Sequence, residues 1–141
     1  MLGQVVGMLQ VQHHGPGQLH GIVARHDGLD LIPGAVREIP LTGTDGRPHC
    51  IPHVGWSGLN PRDGADWQAT PLRDLAPGTE VYFAHSFHAQ PKHSRHLVAT
   101  CDYDGHSITA VVRRDNMIGC QFHPEKSGES GLAIIRNFLK L

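Results

Sequence analysis

The sequence is poor in several features that mark particular kinds of protein. It has two tryptophans, two tyrosines and four phenylalanines in 141 residues, and its formal net charge is −1. A near-neutral chain without basic clusters lacks the surface that binds nucleic acid. No run approaches the roughly 18 apolar residues that cross a bilayer, and residues 1–17 lack the basic and apolar segments of a signal peptide. We therefore expect a cytoplasmic protein with no nucleic-acid or membrane partner.

Cysteine is also scarce. Cys50, Cys101 and Cys120 are widely spaced and include no C-x-x-C pair, which excludes a disulfide framework and a zinc knuckle. Histidine is abundant, with 12 residues, and pairs such as His85 and His88 have the spacing of metal ligands. Because no second ligand group of the H-E-x-x-H kind accompanies them, we interpret them as solvated loop histidines. We expect neither a metal nor a cofactor.

The clearest local pattern is a set of three β-rich runs in the second half of the chain. Residues 97–103 and 106–113 are separated by Asp104-Gly105, a two-residue hairpin signal, and residues 117–122 form a third run. This order predicts an antiparallel meander of three strands. Further strands are predicted at 35–39 and 81–87, and residues 51–56 are predicted to be a strand end or an ordered loop.

Helical signals are fewer. Thr70-Pro71 supplies an N-cap and a proline at the first helical position, which predicts a single helical turn that ends at Pro77-Gly78. Residues 129–141 predict an amphipathic helix that covers one face of the sheet. Its apolar residues at helical spacing are Leu132, Ile135, Phe138 and Leu139. Residues 1–26, rich in glycine and histidine, are predicted to be loosely ordered.

The most informative chemistry lies in residues 120–128, which read C-Q-F-H-P-E-K-S-G. His123 and Glu125 are two apart where a strand stops, and in an extended segment such residues point the same way. Glu125 can then hold the His123 ring in one tautomer and stabilise its protonated form, as in the base and orienter half of a catalytic triad. On spacing alone, a surface histidine beside a solvated glutamate is the more frequent arrangement.

The string as a whole resembles the closing signature of triad-type, class I glutamine amidotransferases. Further segments follow in the order found in the glutaminase subunit of imidazole glycerol phosphate synthase. Residues 28–34 are similar to its G-L-x-L-I-P-G, residues 51–57 to P-H-x-G-W-N, and residues 82–87 to Y-F-x-H-S-Y. The resemblance covers residues 27–141, which we expect to form the C-terminal part of one amidotransferase domain.

The resemblance implies an α/β fold, a three-layer α/β/α (flavodoxin-like) domain that is here incomplete. It implies hydrolysis of glutamine, with His123 and Glu125 as catalytic residues and ammonia passed to a (β/α)8-barrel synthase subunit in a heterodimer. His85, Ser86 and Phe87 match the part of the motif that lines the glutamine pocket; the alternative is a strand end with ordinary hydrogen bonds. Pro52, His53 and Trp56 match the segment that faces the synthase, although Trp56 could instead be a core aromatic residue.

The sequence departs from the family at the nucleophile. The family carries a cysteine in G-x-C-x-G-M-Q, whereas residues 3–9 place Val5 at that position, and a valine has no lone pair with which to attack a carbonyl. None of the three cysteines precedes residues 28–34. We therefore expect an N-terminally truncated member that is inactive alone. Two alternatives remain: a glutaminase paralogue that supplies ammonia for amidation of bacterial surface sugars, and a non-catalytic binding or regulatory fragment.

Overall fold

The structure, a computed structural model, describes residues 31–141. Eight strands and one α-helix occur in this part of the chain, together with 3₁₀ turns at Ser94–His96 and Pro124–Lys126. The elements are β1 (Gly34–Glu38), β2 (His53–Gly58), β3 (Asn60–Pro61), β4 (Glu80–His85), β5 (Phe87–Pro91), β6 (Leu97–Tyr103), β7 (His106–Arg114), β8 (Met117–Cys120) and α1 (Gly128–Phe138). The predictions made for residues 1–26, including the position of Val5, lie outside the described residues.

All strand pairs in residues 31–141 are antiparallel, and they form three sheets: β1 with β5, β2 with β4, and a four-stranded sheet in the order β3-β6-β7-β8. The predicted meander is confirmed as β6, β7 and β8. At the first of its turns Asp104 and Gly105 both have positive φ, 49° and 85°, the conformation that a two-residue hairpin of type I′ requires.

The strand predicted at 81–87 is divided into two strands that belong to different sheets. β4 pairs with β2, whereas β5 pairs with β1. The chain changes sheet at Ser86, whose carbonyl accepts a hydrogen bond from Ile39 N–H at 2.9 Å instead of continuing a ladder. Residues 51–56, predicted as a strand end or loop, contribute most of β2.

The helical turn predicted after Thr70 is wrong: residues 70–75 form hydrogen-bonded turns and no helix. The predicted cap is present, since Thr70 Oγ1 accepts a hydrogen bond from Leu72 N–H at 3.1 Å. Asp74, however, has φ of 71°. A left-handed residue cannot continue a right-handed helix, so the chain turns away at Asp74 before a helical turn is completed.

The C-terminal helix is present as predicted, but its buried face is different. Gly131, Ile134 and Asn137 are buried, whereas Leu132 and Leu139, two of the apolar residues whose spacing predicted the amphipathic helix, are 45% and 77% exposed. Hydrogen bonds as well as apolar contacts determine which face of the helix is buried. Asn137 Nδ2 donates to carbonyls of the 70–75 turns, which fixes the rotation of the helix about its axis. Ile134 joins a core that includes Leu59, Phe83 and Phe122.

Within residues 31–141, no helix is long and apolar enough to span a membrane.

Candidate active site

His123 and Glu125 are in contact, directly after β8. His123 has extended backbone angles, and Glu125 lies in the 3₁₀ turn that follows. His123 Nδ1 is 2.8 Å from Glu125 Oε1, and the imidazole side chain is 10% exposed while the carboxylate is 48% exposed. The ring is therefore not the surface histidine of the alternative, although the glutamate is half exposed to solvent. The contact predicted from the spacing is therefore present, and the catalytic roles stay predictions.

The electrostatics of the pair determine which nitrogen of His123 is basic. Burial by itself raises the pKa of Glu125, but hydrogen bonds from the His123 side chain and from a main-chain N–H, together with the charges of His123 and Lys126, outweigh it, so that the pKa is lowered. An ionised carboxylate only accepts hydrogen bonds, hence Nδ1 of His123 carries the proton and donates to Oε1. In the neutral ring the lone pair is then at Nε2, the atom that accepts a proton from a nucleophile in a triad.

The backbone of His123 is fixed to β4 through Ser127, a residue that the sequence analysis missed. His123 N–H donates to Tyr82 O at 2.9 Å. The Ser127 hydroxyl donates to His123 O at 2.6 Å and accepts from Tyr82 N–H at 2.9 Å. Ser127 is 1% exposed, so these bonds are shielded from water and hold the acid-base loop against the strand.

A glycine explains how the helix can approach this loop so closely. A Cβ placed on Gly131 would lie 1.8 Å from the carbonyl oxygen of Pro124 and 2.9 Å from Ser127 Cβ. Real side chains do not tolerate such distances from a main-chain atom. The S-G-x-x-G pattern at residues 127–131 is the sequence signal for this packing, because it places small residues on both sides of the contact.

His85, Ser86 and Phe87, predicted to line the glutamine pocket, lie where the chain passes from β4 to β5. His85 is 7% exposed, and its Nδ1–H donates to Phe87 O at 2.8 Å. Burial lowers the pKa of His85, opposed by the Phe87 carbonyl and assisted by the charges of His88 and His123. The lining of a glutamine pocket by these three residues stays a prediction.

His53 and His85 are paired across β2 and β4, and their rings form a hydrogen bond that the sequence analysis missed. Since Nδ1 of His85 donates to a carbonyl, its Nε2 accepts from His53 Nδ1–H at 3.0 Å. His53 Nε2 then accepts from the Ser57 hydroxyl, also at 3.0 Å. Desolvation and the neighbouring His85 lower the pKa of His53 to about 4, so both rings stay neutral at pH 7.

The three residues predicted to face a partner do not share one environment. Trp56 is 52% exposed, which excludes a core role for it, and Pro52 is exposed as well. His53 is 2% exposed and stacks between Phe83 and Tyr103, with ring centroids at 5.0 and 4.0 Å. In this structure His53 therefore supports the strand that presents Trp56, and direct contact with a partner stays a prediction for Pro52 and Trp56.

Two of the three cysteines in the described part of the chain, Cys101 and Cys120, are poor nucleophiles. Burial raises the pKa of Cys101 to about 12, with Asp102 adding to the effect, and burial alone raises that of Cys120 to about 12. Both therefore stay protonated thiols at pH 7. Cys50 is exposed in the loop before β2, where its carbonyl accepts a hydrogen bond from Tyr103 OH at 2.6 Å.

Metal ligands do not converge in this region: among residues 31–141, no three histidine, cysteine, aspartate or glutamate side chains are placed to hold a metal ion.

Comparison with known proteins agrees with the fold and identifies the family. The family model for glutamine amidotransferase class-I matches residues 51–141. The chain is 49% identical over 118 residues to the imidazole glycerol phosphate synthase subunit HisH 1 of Legionella pneumophila (strain Paris), covering 83% of this chain and 55% of that protein. It is 42% identical over 116 residues to the HisH subunit of Rhodospirillum rubrum, covering 82% and 51%. The chain thus spans about half the length of the curated relatives it matches.

Solved structures with low sequence identity share the fold. A putative GMP synthase protein from Thermoplasma acidophilum superposes with a TM-score of 0.54 at 17% identity, covering 76% of this chain and 47% of that one. PurLQS from Thermotoga maritima superposes with a TM-score of 0.52 at 21% identity, covering 79% and 54%. The predicted class I amidotransferase fold is thereby confirmed, with antiparallel sheets and one C-terminal helix of that domain in residues 31–141. The chain belongs to the glutamine amidotransferase class-I family.

Proposed function

We propose that the complete protein to which this chain contributes hydrolyses glutamine in the cytoplasm to glutamate and ammonia, and that the ammonia passes to a synthase subunit that forms imidazole glycerol phosphate. The observation that carries the proposal is the contact at 2.8 Å between the buried His123 ring and the half-exposed Glu125 carboxylate. Support for the acceptor comes from the HisH relatives, which are named as subunits of that synthase.

The residues of this chain would act as follows. Nε2 of His123 takes the proton of a cysteine thiol supplied outside residues 31–141, and the resulting thiolate attacks the γ-amide carbon to form a tetrahedral intermediate. His123 delivers a proton to the leaving nitrogen, the C–N bond breaks, and ammonia and a thioester result. Nε2 of His123 then takes a proton from water, which attacks the thioester and releases glutamate and the thiol. Glu125 stabilises the imidazolium form in both halves of the reaction.

The partner surface in this proposal is the outer face of the β2–β4 pair. Val54 is 56% exposed beside Trp56 on this face, and Trp56 contacts Tyr82 of β4 with ring centroids 6.0 Å apart. Tyr82 in turn fixes the His123 backbone. Exposed aromatic residues of this kind are enriched at protein interfaces, and a (β/α)8-barrel synthase docked here would lie next to the acid-base loop.

A coupled assay tests this function. The N-terminal half of a HisH relative, with its cysteine, is joined to residues 27–141 to give a grafted protein. Mixed with the relative's barrel subunit, and with the substrate of that barrel, the grafted protein is expected to form imidazole glycerol phosphate from glutamine. Glutamate release without imidazole glycerol phosphate would refute this synthase as the acceptor of the ammonia and would favour a glutaminase that serves another acceptor. The 141-residue chain alone is expected to release no glutamate above background.

Val5 at the nucleophile's position favours a second candidate, a fragment that binds the synthase without catalysis. In that case the 141-residue chain competes with an intact HisH subunit for binding to the barrel. Inhibition of the intact synthase by added chain supports this candidate, and unchanged synthase activity at saturating chain contradicts it.

A further inference from the structure

A cavity of about 450 Å³ opens beside the turn between β7 and β8, and none of the residues assigned to the candidate active site lines it. Four arginines from three separate segments converge on it, accompanied by two aspartates and one histidine. These side chains are Arg62, Arg95, Arg113, Arg114, Asp66, Asp115 and His96. Clefts of this volume commonly hold a small-molecule ligand.

The charges in this cavity do not cancel. Four guanidinium groups face two carboxylates, and the only ion pair among them in the described part of the chain joins Arg114 to Asp115 at 3.8 Å. Asp66 is engaged by a main-chain N–H, that of Gln68, at 2.8 Å. Arg95 has neither a hydrogen bond nor an ion pair within residues 31–141. A concave surface with excess positive charge concentrates anions.

Three of the guanidinium groups are held in place by neutral acceptors. Each donates to a main-chain carbonyl: Arg62 at 3.0 Å, Arg113 at 3.1 and 2.6 Å, and Arg114 at 2.8 Å. A carbonyl orients the planar group without removing its charge, and each guanidinium has five N–H donors. These arginines are thus preorganised, with donors to spare for a ligand, and that lowers the entropic cost of binding.

His96 provides an independent observation. The residue is 6% exposed and lines the cavity, and its Nδ1 is buried without a hydrogen-bond partner in the described residues. Burial lowers the pKa of His96, as do the charges of Arg95, His93 and Arg114, and Asp115 opposes them only weakly. An unpaired buried polar atom destabilises the protein, and an anion that accepts a hydrogen bond from Nδ1–H of His96 would relieve that cost.

We propose that this cavity binds an oxyanion of the phosphate type, the phosphate group of a small phosphorylated metabolite, with Arg95, Arg113 and Arg114 supplying the charge. Guanidinium groups match phosphate oxygens with two parallel hydrogen bonds. The volume leaves room for a group attached to the phosphate. The proposal does not depend on glutamine hydrolysis, because its residues are distinct from His123 and its neighbours.

Equilibrium dialysis of the 141-residue chain against radiolabelled inorganic phosphate tests the site and tolerates self-association of the protein. Arg95→Gln removes one charge without removing a hydrogen bond of the structure, and it should weaken phosphate binding about tenfold. Arg113→Lys keeps the positive charge but loses the two parallel N–H donors of the guanidinium group, so it should also weaken phosphate binding. The matched control is Arg37→Gln, an exposed arginine of β1 outside the cavity, which should leave the affinity unchanged.

The imidazole of His96 gives a second readout by NMR. Saturating phosphate should raise its pKa in the unmodified chain and in Arg37→Gln, and should do so much less in Arg95→Gln. Glycerol phosphate should compete with the labelled phosphate, since the cavity is larger than the phosphate group. Equal weakening by Arg95→Gln and Arg37→Gln would mean general counter-ion attraction and would overturn the proposal, as would the absence of binding at millimolar phosphate.

Discussion

Replacement of Ser127 by alanine should destabilise the fold far more than the loss of one oxygen atom suggests. Its hydroxyl satisfies Tyr82 N–H and also donates to His123 O. His123 O keeps a second donor, Lys126 N–H at 3.0 Å, whereas Tyr82 N–H is left without this partner. A buried unsatisfied donor costs about 1–3 kcal/mol and a lost hydrogen bond about 1 kcal/mol, so we expect Ser127→Ala to lower the free energy of unfolding by about 2–4 kcal/mol.

Urea denaturation, followed by fluorescence of the buried Trp67, measures this change. Ser107→Ala is the matched control, because Ser107 is exposed on β7 and exposed substitutions of this kind change stability by about 0.5 kcal/mol or less. A Ser127→Ala midpoint that coincides with the Ser107→Ala midpoint would refute the reasoning, since it would mean that Ser127 does not hold the acid-base loop to β4.

Three further outcomes follow from the geometry. The pKa of His53 is about 4 in the folded chain and 6.5 in the unfolded one, so the unfolded state binds the proton first as the pH falls. The free energy of unfolding should therefore be highest above pH 6.5 and should decrease by about 3 kcal/mol between pH 6.5 and pH 4. Urea titrations at each pH measure this pH dependence of the free energy of unfolding. His53→Phe should reduce it to the contribution of the other histidines, and an unchanged pH dependence would contradict the assignment to His53. Trp56→Ala should weaken calorimetric binding of the barrel subunit by about 2 kcal/mol without altering the urea midpoint. The control is Leu139→Ala, because Leu139 is also apolar and is 77% exposed, and it should leave the affinity unchanged. Equal effects of the two substitutions would mean that Trp56 does not lie in the interface. In the grafted protein, Glu125→Gln should lower kcat more than it changes KM, because an amide holds the His123 ring but stabilises its charge poorly, and a change confined to KM would contradict that role.

The sequence allowed the β6–β7–β8 meander to be predicted because the signal is local. Asp104-Gly105 adopts positive φ angles at low cost, and the runs on either side of it are rich in β-branched residues, among them Val98, Thr100, Ile108 and Val111. The contact between His123 and Glu125 is also local, since it depends on two residues in one short segment. Both predictions needed no knowledge of which distant strands would meet.

Predictions that depended on tertiary packing were less successful. The rotation of α1 is set by the hydrogen bonds of Asn137 with the 70–75 turns, and no apolar periodicity encodes a polar contact across more than 60 residues. The hydrogen bond between His53 and His85 likewise follows from the register of β2 against β4. The arginine-lined cavity joins residues 62, 95 and 113, which only the folded chain brings together.

The most direct measurement for the central claim is glutamate release by the grafted protein and its His123→Ala variant, assayed side by side at saturating glutamine. The His123–Glu125 pair should act as the base and orienter of a cysteine triad, so the grafted protein should release glutamate and His123→Ala should nearly abolish that release while barrel-subunit binding is retained. Glutamate release that persists in His123→Ala would contradict the account, because the proton transfers would then be carried by another residue.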